Sequence, residues 1–180
     1  MKKLKVVTIV GTRPEIIRLS RLIPKLDEYT DHVFVHTGQN SDPKLNEVFF
    51  EDLELRAPDY YLNVDTSSMG SVMGDVIKKS EEVFQKEKPD AVMILGDTNS
   101  AIAAIVAERL HIPVYHMEAG NRSFDNNVPE ELNRKMVDHV ASFNLPYNDY
   151  SMRNLLAEGI HPRFIQKTGS PIGEIYEHYI

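Results

Sequence analysis

Short apolar runs alternate with helical patterns along the whole chain, and this alternation restricts the fold more than any other feature. LKVVTIV (4–10), HVFVHTG (32–38), DAVMILGD (90–97) and IPVYHMEAG (112–120) read as buried strands, apolar on both faces. SFNLPY (142–147) predicts a short strand and RFIQKTG (163–169) a last one. Between them, Pro14 suits a first helical turn, and Ile16, Ile17, Leu19, Leu22, Ile23 and Leu26 predict one continuous helical face. Further helical patterns occupy 43–53, the region from Val72 to Phe84, 101–110, 128–140 and 148–159, and GEIYEHYI (173–180) reads as the start of another. The segment from Pro58 to Ser68 reads as looser. Repeated strand–helix units with doubly buried strands predict a parallel sheet covered by helices on both faces. In such a sheet, ligands sit beyond the carboxyl ends of the strands.

The rest of the composition narrows the function classes. With 180 residues, 42% of them hydrophobic and 26% charged, the chain suits one soluble domain with a well-buried core. Its net charge of −7 argues against a nucleic-acid surface, which needs a basic face. Without cysteine there is neither a disulfide framework nor a thiolate metal site. The opening MKKLKVVTIVG imitates a signal peptide, but the apolar run is short and Arg13 and Glu15 follow it. No segment reads as membrane-spanning, so a cytoplasmic location is the default expectation. His32, His36 and His139 lack ligand-like spacing, and neither a metal nor a cofactor is expected.

The residues just after the strands carry the chemistry. They are Gly11-Thr12-Arg13, Thr37-Gly38-Gln39-Asn40, Gly96-Asp97-Thr98-Asn99 and Glu118-Ala119-Gly120-Asn121-Arg122, with Pro129-Glu130-Glu131 soon after. Each has an ordinary alternative. Asp97 or Thr98 could cap the next helix, and Glu130 and Glu131 could complement a helix N-terminus, the favoured reading for Glu131. Arg18 could lie on a solvated helix face, and His116, inside an apolar run, reads better as a core histidine than as a catalyst. Taken together, Arg13, Asp97, Glu118 and Glu130 at one sheet edge fit a shared site better than four separate structural roles.

GTRPE (11–15), GDT (96–98), HMEAG (116–120) and PEELNR (129–134), in this order and spacing, resemble the non-hydrolysing UDP-N-acetylglucosamine 2-epimerases. The resemblance covers the whole chain. It implies the N-terminal Rossmann-like domain, residues 1–180, of a two-domain GT-B architecture whose nucleotide-binding C-terminal domain lies outside this chain. It further implies inversion of carbon 2 in a UDP-2-acetamido sugar, by elimination of UDP to a glycal and re-addition, for surface polysaccharide precursors. By motif, Asp97, Glu118 and Glu130 resemble the catalytic carboxylates, and Arg13 and Arg18 the substrate-contacting positions. A homodimer of the full-length protein is expected, with the UDP-sugar and the C-terminal domain as partners.

Three departures qualify the resemblance. Arg18 stands where the family has lysine, and a planar guanidinium is not a point charge. Gln39-Asn40-Ser41 replaces the Gln-His-Arg of an effector region, so Gln39 marks a possible effector region whose function is in doubt. AGNRSFDNNVPEE (119–131) is shorter than usual and lacks its tryptophan. In this it looks more like the subgroup acting on UDP-2-acetamido-2,6-dideoxy-L-talose. The competing readings are the acceptor domain of a GT-B glycosyltransferase and a non-catalytic flavodoxin-like binding module.

Overall fold

The computed structural model describes residues 2–38 and 43–180. β1 (Lys5–Val10), β2 (Asp31–His36), β3 (Tyr60–Tyr61), β4 (Ala91–Leu95), β5 (Val114–Met117) and β6 (Phe143–Leu145) form one sheet in the order β3-β2-β1-β4-β5-β6. Every pairing is parallel. The strand order reverses between β1 and β4, and this opens a crevice at the carboxyl ends of those strands.

Alternation along each strand sends side chains to two cores. On one face Val7, Ile9, Val92, Ile94 and Val114 pack with side chains of α4 (Met69–Glu87), α5 (Ala103–Arg109) and α6 (Pro129–Val140). Ala103, Ala104 and Ala107 of α5 are fully buried there, and their small size lets the helix come close to the sheet. On the other face Val10, Phe34, Leu95 and Met117 pack with α1 (Arg13–Leu19), α2 (Leu22–Tyr29) and α3 (Pro43–Asp52) through Ile16, Leu19, Ile23 and Phe50. α7 (Asp149–Ala157) and α8 (Ile172–Tyr179) complete the chain. The expected parallel sheet with helices on both faces is therefore present.

Three local expectations differ. The continuous first helix is two helices, broken at Ser20 and Arg21. Pro24 lacks the N–H that would bond to the carbonyl of residue 20, and its ring collides with that carbonyl in an unbroken helix. The loose segment from Pro58 contains the edge strand β3, which pairs with Val35 and His36. The expected last strand is a 3-10 turn, Pro162–Phe164, followed by one isolated bridge between Asn144 and Ile165. Pro162 suits the start of such a turn; beyond it the chain runs beside β6, with the Gln166 N–H donating to the Asn144 carbonyl at 2.9 Å and the Thr168 N–H to the Pro146 carbonyl at 3.1 Å.

Candidate active site

The turn after β1 decides how the sheet edge can meet an anion. In a dinucleotide-binding fold, the free N–H groups of this turn receive a phosphate. Here they are already occupied. Glu15 Oε2 accepts from the N–H groups of Gly11 at 3.0 Å and Thr12 at 2.7 Å, and from the Thr12 hydroxyl at 2.8 Å. Glu15 Oε1 accepts from the Thr98 hydroxyl at 3.1 Å. Burial raises the Glu15 carboxyl to about 7, and the bonds from Thr12, Gly11 and Thr98 offset only part of that rise. Arg13, the first residue of α1, is exposed, with its guanidinium carbon 6.0 Å from the centre of the Phe49 ring.

Arg18 lies in the last turn of α1 and forms an ion pair with Glu118, just after β5. Glu118 has φ of 62°, a left-handed conformation that non-glycine residues adopt at a cost of order 1–3 kcal/mol. Its backbone N–H donates to the Leu145 carbonyl at 3.1 Å, and its Oε1 accepts from the Asn121 amide at 3.3 Å. Burial pushes its carboxyl above the ordinary range; the Arg18 charge opposes this and the Asp97 charge adds to it. Gly120, two residues on, has φ of 82°, and a Cβ there would lie 2.2 Å from the Ser151 carbonyl oxygen. Only glycine lets this loop pass so close to α7. The buried Tyr147 hydroxyl has no hydrogen-bond partner among the described residues; burial and the nearby negative charge of Glu118 raise its pKa.

α6 fixes the third carboxylate, Asp97. The Arg134 guanidinium reaches Asp97 Oδ2 through Nε at 2.7 Å and a terminal nitrogen at 2.6 Å. Asn133 donates to the Asp97 carbonyl at 2.9 Å, so both backbone and side chain of Asp97 are held from one helix. Glu131 supports Arg134 from the preceding turn at 3.2 Å. Its carboxylate also accepts from the N–H groups of Ser123 at 2.9 Å and Phe124 at 3.2 Å. Burial opposes the Glu131 charge, yet these donors and Arg134 bring its carboxyl down to about 2. Glu131 is thus a buried clamp on the 121–128 segment, where the sequence favoured a simple complement to a helix end. Glu130 is exposed in the first turn of α6.

A second ionic network underlies the Glu118 loop. His116 Nε2 donates to the Gly96 carbonyl at 2.7 Å, and Nδ1 lies 2.8 Å from Asp138 Oδ1. Burial alone would lower the His116 pKa, but Asp138 outweighs it and raises it. Asp138 also takes a bond from the fully buried Arg122 guanidinium at 2.7 Å and from the Gly120 N–H at 3.1 Å. Arg122 continues to Glu158 at 2.6 Å. His116 is therefore a core histidine, as its apolar neighbours suggested, set against the Asp138 carboxylate.

The sheet edge brings Arg18, Glu118 and Asp97 together, while Arg13 and Glu130 are exposed. Gln39 lies outside the described residues. Sequence reasoning missed Glu15, Arg134, Asn133 and Asp138. Arg134 and Asn133 stand in the PEELNR motif, so their proximity to the others was a usable signal; Asp138 had none.

The fold and these motifs agree with what the chain resembles. The family model of UDP-N-acetylglucosamine 2-epimerase matches residues 25–179. A UDP-N-acetylglucosamine 2-epimerase structure from Rickettsia bellii superposes with a TM-score of 0.93 at 49% identity, covering 98% of this chain and 47% of that one. A Methanocaldococcus jannaschii UDP-GlcNAc 2-epimerase in complex with UDP-GlcNAc and UDP gives 0.92 at 41% identity, covering 97% and 49%. The UDP-2,3-diacetamido-2,3-dideoxy-D-glucuronate 2-epimerase of Pseudomonas aeruginosa is 36% identical over 190 residues, covering 94% of this chain and 54% of its own length. The chain spans about half the length of the curated relatives it matches.

Proposed function

The chain belongs to the UDP-N-acetylglucosamine 2-epimerase family, and from that membership we propose that it forms the sugar-side half of an enzyme inverting carbon 2 of a UDP-2-acetamido sugar. In this proposal residues 1–180 are the N-terminal domain of a two-domain GT-B enzyme, homodimeric when full length. The second domain holds the nucleotide.

The chemistry accounts for the residue inventory. The hydrogen on carbon 2 has no adjacent carbonyl to acidify it. Breaking the bond from carbon 1 to the diphosphate oxygen sends its electron pair to UDP and builds positive charge on carbon 1. The carbon-2 proton then passes to a carboxylate, and the carbon–hydrogen electron pair closes the glycal double bond. Re-addition of UDP at carbon 1 with protonation of the opposite face of carbon 2 completes the inversion. Developing charge on the diphosphate calls for cations, here Arg13 and Arg18. Proton transfer at two faces calls for more than one acid or base, here Glu118, Asp97 and Glu130.

The observation that carries this reading is the half-buried Glu118–Arg18 pair beside Asp97 at the carboxyl edge of the sheet. A buried carboxylate beside a second carboxylate holds a proton more readily than usual, which suits a group that must both take and give one. The comparisons support the epimerase reading over the glycosyltransferase and binding-module alternatives. Incubation of the two-domain enzyme with UDP-N-acetylglucosamine in deuterated water tests it: deuterium enters carbon 2 during epimerisation, and a transferase leaves carbon 2 untouched. Running UDP-2-acetamido-2,6-dideoxy-L-talose in parallel tests the substrate expectation from the short 121–128 segment; clear preference for UDP-N-acetylglucosamine contradicts it.

A further inference from the structure

Glu15 has no part in the roles above, although it is held by more donors than any of the proposed catalytic carboxylates. Its residue is 2% exposed, and its oxygens accept from Gly11, Thr12 and Thr98. These donors belong to two strand-end loops far apart in sequence. The first loop leads into Arg13. In the second, Thr98 is the neighbour of Asp97 and caps the 3-10 turn Asn99–Ile102, accepting from the Ser100 N–H at 3.3 Å. A plain helix cap needs only the first loop. It accounts neither for the bond to Thr98 nor for the depth at which the carboxylate is buried.

We propose that Glu15 is a positioning residue of the epimerase site: its carboxylate fills the N–H cradle of the β1–α1 turn and, through Thr98, fixes the loop carrying Asp97 against the loop carrying Arg13. This rests on the epimerase reading above. A buried carboxylate is tolerated only while its donors surround it, so the donors are held in a single arrangement. Because the cradle is filled from within, the substrate diphosphate meets the arginine side chains instead of the backbone N–H groups. Asp97 then has three anchors, with Arg134 and Asn133 acting from α6 and Thr98 from the turn.

Thr98→Val removes the link to Glu15, together with the cap on Ser100, at constant shape, and Thr98→Ser retains both. In the two-domain enzyme, Thr98→Val is expected to lower kcat for carbon-2 exchange about 10- to 100-fold, the scale of a small misplacement of a reacting group, with KM little changed. Thr98→Ser keeps kcat. A Thr98→Val enzyme with a lower Tm and an unchanged kcat overturns the proposal, because a purely structural bond behaves that way. Backbone amide NMR on the present chain supplies a second readout. Thr98→Val shifts the Gly11 and Thr12 resonances and Thr98→Ser does not; unmoved resonances in Thr98→Val overturn the proposal. If the wild-type enzyme catalyses no exchange, the epimerase reading fails, and the NMR result still decides whether Glu15 couples the two loops.

Discussion

Glu118, the proposed proton-transfer group, shows at the scale of one residue how burial and neighbouring charges act on a carboxylate. Burial and the Asp97 charge raise its pKa, while Arg18 keeps the ionised form accessible. A group that must be ionised to accept a proton loses activity as pH falls through its pKa. The acidic limb of kcat/KM is therefore expected above the usual glutamate value of about 4.3, and a limb at or below that value contradicts the role. Part of this was legible beforehand. Glu118 and Asp97 follow strands and stand in recognisable motifs. Glu15 was not, because a glutamate three residues after Thr12 reads as an ordinary capping box; its burial and its bond across 83 residues to Thr98 are tertiary facts. Glu131 misled for the same reason, since first-turn position says nothing about the loop folded over it.

At the scale of elements, the strands were legible because doubly buried β-strands are continuous apolar runs: β1, β4 and β5 lie within the runs that predicted them, and β2 begins one residue before its run. The weak edges were not. β3 is two residues long, and the 163–169 segment shares the composition of a strand but follows a proline-started turn. Two tests belong here. Gly120→Ala places a Cβ against the Ser151 carbonyl in a backbone region that alanine resists. It is expected to destabilise by at least the 1–3 kcal/mol typical of overpacking, read as a fall in Tm; an unchanged Tm contradicts the close packing of this loop on α7. The His116–Asp138 pair makes stability depend on pH. Because the folded His116 pKa is raised above 6.5, its contribution is fully present below that value and fades as pH rises through the folded pKa. Asp138, with a lowered pKa, contributes above the ordinary value of 3.8 and loses that contribution as pH falls through its folded pKa. Thermal melts across pH should therefore show His116→Gln lacking the alkaline-side decline of wild type; matching slopes in the two proteins contradict a raised His116 pKa.

At the scale of the whole molecule, a parallel sheet whose strand order reverses at β1 and β4 places the carboxyl-end loops around one crevice; GTRPE, GDT and HMEAG reach those loops, and PEELNR opens α6. The net charge of −7 makes the chain as a whole a poor trap for a diphosphate. In the two-domain proposal this half alone is expected to bind UDP weakly and to show no epimerase activity. The exposed Arg13 and Glu130 face water, where charge–charge effects are small. Tight calorimetric binding of UDP by the 180-residue chain would place the nucleotide site in this domain and contradict the proposal. The central claim is that Glu118 moves the carbon-2 proton, and it is tested most directly by deuterium incorporation at that carbon in the two-domain enzyme with and without Glu118→Gln. The account predicts exchange by wild type and a loss of about two to four orders of magnitude in the variant, at nearly unchanged UDP affinity. Undiminished carbon-2 exchange in the folded Glu118→Gln enzyme would contradict it.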